Sequence, residues 1–208
     1  MNALVPRQLA QRYGAAGQLH NTQYHYAEPR LYTSQADLFV DAVGVALTEA
    51  HGNWWHFSTL RMCCAMVRLS NLPASGYGRA LAGWIIHSGE VIPSPADTAH
   101  SYDPWWRVFG GLHSVVGYRT EMLIDDEVGG PYGADISAGA PVVGAWLQEV
   151  AAASAYAGGP TYHDRNRGIT EPLGRPSTLS VCGHADDSIY DNKRLPPATC
   201  LQSWWIGN

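Results

Sequence analysis

Cys182, His184, Asp186 and Asp187 fall within the six-residue run CGHADD, and each is a residue type that binds transition metals. On an extended strand the alternation Cys-x-His-x-Asp places three of these side chains on one face, where a zinc ion could gather them. His163, in the run HDRNR at 163–167, would serve as a further ligand or as a general base. The chemistry so assembled would be metal-assisted hydrolysis by Cys182, His184, Asp186 and His163. The spacing matches no standard zinc pattern, and the same runs read as solvated turns in which Asp164 pairs with Arg165 or Arg167.

A thiolate with a histidine base is a second chemistry, using Cys63 or Cys64 with His51, His56 or His113. Both cysteines stand in an apolar run, where a thiol is ordinarily inert packing. The glycine-rich stretches FGG at 109–111 and GGPYG at 129–133 lack the spacing and the lysine of a phosphate loop, and read as turns. Ser58, Ser114 and Ser188 have no G-x-S-x-G surroundings. The nine histidines are scattered and spacing alone selects no acid–base pair, so the expectation is a protein that is not an enzyme and has no resident metal or cofactor.

The elements that would position these residues follow from periodicity. Residues 1–32 are polar, tyrosine-rich and irregular, and read as an extended arm. Ser34 with Asp37 resembles a helix start, and Leu38, Phe39, Ala42, Val43, Ala46 and Leu47 recur at helical spacing up to Gly52. Further helices are expected over 58–69, 78–87 and 142–157, a strand over 114–124, and a glycine-rich loop over 125–141. Residues 160–208 show no sustained period. The expected class is α+β: a predominantly helical, shell-type domain with long irregular loops and a little β-sheet. Its parts would be an arm (1–32), a helical core region (33–159) and a loop-rich region (160–208) packed on that core or on neighbouring chains.

Charged residues make up 15% of the 208 residues, against about 25% in ordinary soluble domains. The basic residues are twelve arginines and one lysine, Lys193. Interfaces favour Trp, Tyr and Arg and are poor in Lys and Glu, so this balance suits a surface partly covered by other chains. A net charge of −5, with no run of basic residues, argues against tight nucleic-acid binding. Arginines interrupt the longest apolar stretches, so no membrane span is expected. The four cysteines lack the spacing of a secreted scaffold and read as free thiols in a reducing compartment. Six of the eight tryptophans occur as doublets, Trp54-Trp55, Trp105-Trp106 and Trp204-Trp205. Neighbouring side chains diverge on a helix or a strand, so one indole of each pair is expected to fill its own core and the other to contact a partner. Trp54, Trp105 and Trp204 could instead present sugar-binding platforms.

Read together, HGNWWHFSTLRM, SYDPWWRVFGGLHSVVGYRT, GGPYGADI, PVVGAWLQE and CGHADDSI resemble the capsid proteins of totivirus-like double-stranded RNA viruses, most nearly the victoriviruses. The resemblance covers about residue 30 onward. It implies a largely helical shell protein that self-assembles into an icosahedral virion in the host cytoplasm, enclosing genome and polymerase. The partners implied are copies of itself, the rest of a longer capsid subunit of which this chain would be a segment, the viral polymerase, and enclosed double-stranded RNA in weak non-specific contact. No catalytic residue is carried over.

Overall fold

The structure is a computed structural model that describes residues 28–59, 65–78, 81–87, 89–93, 102–122, 127–153, 161–164, 168–191 and 193–207. Its centre is a five-stranded sheet in the order β1-β5-β6-β9-β10, built from β1 (Val45–Glu49), β5 (Gly83–His87), β6 (Ser114–Tyr118), β9 (Pro176–Val181) and β10 (Leu201–Trp205). The first three strands run parallel; β9 is antiparallel to β6, and β10 to β9. A small antiparallel sheet joins β2 (Gly52–Asn53), β3 (His56–Thr59) and β4 (Ala65–Arg68), and β7 (Thr161–Asp164) pairs with β8 (Ile169–Pro172). Two α-helices are described, α1 (Gly129–Ala138) and α2 (Val142–Ala152).

This corrects the expectation of a predominantly helical domain. In β5 and β6 the side chains alternate between two buried faces. Trp84, Ile86 and Val115 join Tyr32, Phe57, Val67 and Tyr77 on one side, while Ile85, Val116 and Tyr118 join Tyr132, Ile136 and Trp146 on the other. A strand covered on both faces reads as a continuous apolar run, which periodicity cannot tell from a buried helix. The helix expected from Ser34 is two 3₁₀ turns, Ala36–Leu38 and Val40–Ala42, followed by β1. That expected over 58–69 falls on β3 and β4, with 60–64 outside the described residues, and that over 78–87 is replaced by β5 at Gly83–His87, with 79–80 outside the described residues. The strand expected over 114–124 is present as β6 and the helix expected over 142–157 as α2, with 123–124 and 154–157 outside the described residues.

Two buried indoles fix the layers. Trp146 Nε1 donates to the Gly117 carbonyl at 2.8 Å, tying α2 to β6. Trp84 Nε1 donates to Thr48 Oγ1 at 2.9 Å, tying β5 to β1 in the middle of an aromatic cluster with Tyr32, Phe57 and Tyr77. The loop before β5 rests on buried Asp41, whose Oδ1 accepts the Gly78 and Leu81 amides at 2.9 and 3.2 Å. There the chain packs backbone to backbone on residues 110–112: a Cβ on Gly78, whose φ is +114°, would lie 2.0 Å from the Leu112 nitrogen. The region 160–208 is not structureless, since it supplies β7 to β10.

Candidate functional site

Where parallel strands end, their departing loops share one edge of the sheet, the usual place for a ligand in open α/β sheets. Here β1 and β5 pair in register to their last residues, Glu49 beside His87. His87 Nδ1 lies 3.4 Å from Glu49 Oε1, and its ring packs edge-on to Trp146 and tilted to Tyr118. Hydrogen bonding from His87 holds the Glu49 carboxyl below the usual carboxylate range, against the opposing effect of partial burial. Beyond β5, Glu90 is buried in a left-handed conformation, φ 56°, and its amide donates to the Thr120 carbonyl at 3.1 Å. A carboxylate that orients an imidazole is the second half of a general-base arrangement. Spacing gave no sign of it, because 38 residues separate the two members and only strand pairing joins them.

A second polar cluster sits at the opposite end of β6, where the strand begins. His113 is buried; its Nδ1 lies 2.6 Å from Asp187 Oδ2 and its Nε2 lies 2.8 Å from the Lys193 carbonyl. His184 Nδ1 approaches the same Asp187 oxygen at 2.8 Å. The turn carrying His184 and Asp187 leaves β9, and the Val142 amide at the start of α2 donates to the Asp187 carbonyl at 3.0 Å. Cys182 and Cys200 form a disulfide across the base of this coil, which corrects the expectation of four free thiols. Cys182 is therefore withdrawn from the ligand set proposed from the sequence. Asp186 is exposed beside the cluster rather than in it, and His163 lies on β7 with Nδ1 3.1 Å from Thr170 Oγ1. Of that set, only His184 belongs to the cluster, and His113 and Asp187 complete it.

The other candidates disperse. Cys63 and Cys64 lie outside the described residues. His51 is exposed, and its carbonyl accepts the Ser58 amide and hydroxyl at 2.7 and 2.9 Å; His56 stands on β3. Ser114 is buried in β6, and the Ser188 amide and hydroxyl each donate to Asp191 Oδ2 at 2.8 Å, the amide first and the hydroxyl second holding the Asp191 carboxyl below its ordinary range. The stretch 129–133, expected as a turn, opens α1, while Gly110 and Gly111 pack against the 75–78 backbone.

The tryptophan doublets behave differently from one another. Trp105 is fully buried and Trp106 is 44% exposed. Trp54 is half-buried and Trp55 is exposed, with ring centroids 6.1 Å apart. On β10 both members are open, Trp204 at 49% and Trp205 at 42%. That strand is the last in the sheet order, so among the described residues its outward edge has no ladder partner. No helix of the described residues is long and apolar enough to cross a membrane.

No curated protein and no solved structure matches the chain. Nothing in these comparisons links it to totivirus-like capsid proteins. A family model described as a domain of unknown function, DUF6345, matches residues 19–163, well over half of the chain, and the chain belongs to that family.

Proposed function

We propose that the chain is a self-associating structural protein whose contact surface is the outer edge of the five-stranded sheet. The observation that carries this reading is the pair Trp204 and Trp205, both about half exposed on the edge strand β10. Consecutive strand residues point to opposite faces, so an indole flanks the edge on each side. Together the two offer on the order of 200 Å² of apolar surface, and edge-to-edge pairing with a second copy would add ladder hydrogen bonds. The sequence of β10, Leu-Gln-Ser-Trp-Trp, contains none of the charges or prolines that normally blunt an exposed edge. Trp106 and Trp55 are exposed as well.

Light scattering on the purified chain is the test. Dimers or larger species are expected, and Trp204→Ser with Trp205→Ser should yield a monomer with an unchanged circular dichroism spectrum. A monomer for the unaltered chain at every concentration would remove the reading. An icosahedral shell is the specific assembly suggested by the resemblance to totivirus-like capsid proteins, and closed particles in electron micrographs would support it.

The in-register pair Glu49 and His87 favours a second reading, an acid–base enzyme working at the carboxyl edge of the parallel strands. Its mark would be an esterase or peptidase activity that His87→Ala abolishes while the state of assembly stays the same.

A further inference from the structure

We infer that His113, His184 and Asp187 form a binding site for one divalent transition-metal ion of the zinc class, with a fourth position open to water or a small anion. Their donor atoms all lie within 4.8 Å of one another, and they come from two separate parts of the chain. His113 immediately precedes β6 and is rooted in the core, while His184 and Asp187 belong to the turn after β9. A group that only closed a turn would not need two imidazoles converging on one carboxylate oxygen, at 2.6 and 2.8 Å.

The orientation of His113 is the second, independent observation. Its Nε2 faces the Lys193 carbonyl at 2.8 Å, and a carbonyl only accepts, so Nε2 carries a proton. That leaves Nδ1, which faces Asp187 Oδ2 at 2.6 Å, as the ring nitrogen directed at the centre of the cluster, where an ion would take the place of the proton shared with the carboxylate. Metal-binding histidines are typically held this way, donating the ring N–H that does not touch the metal to a carbonyl or carboxylate.

The donor set selects the ion. Two imidazole nitrogens and one carboxylate oxygen suit zinc and its neighbours, whereas calcium and magnesium take oxygen shells. Bonds of about 2.0–2.2 Å to a tetrahedral ion set donor atoms roughly 3.3–3.5 Å apart, so the two contacts that Asp187 makes with the imidazoles must lengthen by about 0.7 Å to admit one. The movable side is the turn: the His184 and Asp187 side chains are 35% and 22% exposed, against 5% for His113. The same exposure leaves room on the solvent side for the fourth ligand, the arrangement of a zinc that keeps one exchangeable position. The Cys182–Cys200 disulfide and the Val142 amide on the Asp187 carbonyl limit the movement and keep the two ligands facing His113.

Isothermal titration of the full oxidised chain with zinc chloride is expected to give one ion per chain. Affinity should fall about 100-fold or more in His184→Ala and in Asp187→Asn, and stay the same in His163→Ala, whose imidazole lies on β7. Absence of zinc binding by the folded chain, or an affinity that survives either ligand substitution, overturns the site. Should a variant fail to fold, cobalt(II) added to the unaltered chain decides the matter. Intense visible bands of a tetrahedral ion support the site, and the pale octahedral spectrum of aqueous cobalt overturns it.

Discussion

Replacing Thr48 by Val tests the packing of β1 on β5, and the two obvious physical effects oppose each other. Valine is nearly isosteric with threonine, favours strands, and places a methyl where a hydroxyl was, which by burial alone gains about 0.8 kcal/mol. Thr48, however, is buried, and its Oγ1 accepts the Trp84 indole N–H at 2.9 Å. Trp84 is fully enclosed, so no water can take over that hydrogen bond. An orphaned buried donor costs about 1–3 kcal/mol, so the net effect is a loss of roughly 0.5–2 kcal/mol despite the added apolar atom. For a chain of this size that lowers the melting temperature by about 1–8 °C. Urea unfolding followed by tryptophan emission, with Trp84→Phe as the second arm of a double-mutant cycle, measures it. With phenylalanine at 84 the donor is gone, and Thr48→Val should become neutral or stabilising, giving a coupling of about 1 kcal/mol. Equal or greater stability of Thr48→Val in the presence of Trp84 would refute the reasoning. It would also undermine the β1 register, because a slip of one residue turns Thr48 to the helical face and takes Glu49 away from His87.

Three other outcomes follow from the same geometry. Gly78→Ala should lose about 2–6 kcal/mol, since strain at its positive φ adds to overlap with the Gly111 and Leu112 backbone; Gly144→Ala, exposed in α2 with no Cβ contact closer than 3.8 Å, should gain about 0.5–1 kcal/mol, both read by chemical denaturation. Because the Glu49 carboxyl titrates below its free value of 4.5, its ionised form stabilises the fold above that pH, and the contribution is lost as pH falls through the lowered value; the stability difference between the unaltered protein and Glu49→Gln should therefore shrink on acidification, and a pH-independent difference would mean that the pair is not formed.

Legibility varied with how each segment is buried. α2 was readable because its Val142, Val143, Trp146 and Val150 face one way while Gly144 and Gln148 remain in water. β5 was not, because both its faces are covered and no polar residue interrupts Trp84-Ile85-Ile86. The stretch GGPYGADISA argues against a helix on propensity, yet α1 forms, since Tyr132 and Ile136 lie one turn apart in the core and Gly139, left-handed with φ +98°, ends it. β9 leaves no periodic signal for the opposite reason: Ser177, Thr178 and Ser180 are buried in the sheet without an apolar pattern. Among the polar groups, the run 182–187 pointed toward the histidine cluster, but 71 residues separate His113 from His184, and only the pairing of β6 with β9 brings them together.

The coil between β9 and β10 bears directly on where a partner could act. Its lack of periodic structure implies a segment ordered by packing on its own core or on neighbouring chains, and its own chain holds it at many points. Leu195 and Ala198 donate their amides to the Gly111 and Phe109 carbonyls at 3.2 and 3.0 Å, Tyr190 donates its hydroxyl to the Ser137 carbonyl at 2.7 Å, and His113 grips both Asp187 and Lys193. The disulfide then closes the coil at its base. At these points the coil is engaged by its own chain, whereas β10, which follows it, keeps its outward edge and two indoles open among the described residues. The irregular coil is thus ordered by its own chain, and the regular strand beyond it is the surface on which the proposed association with a second copy would depend.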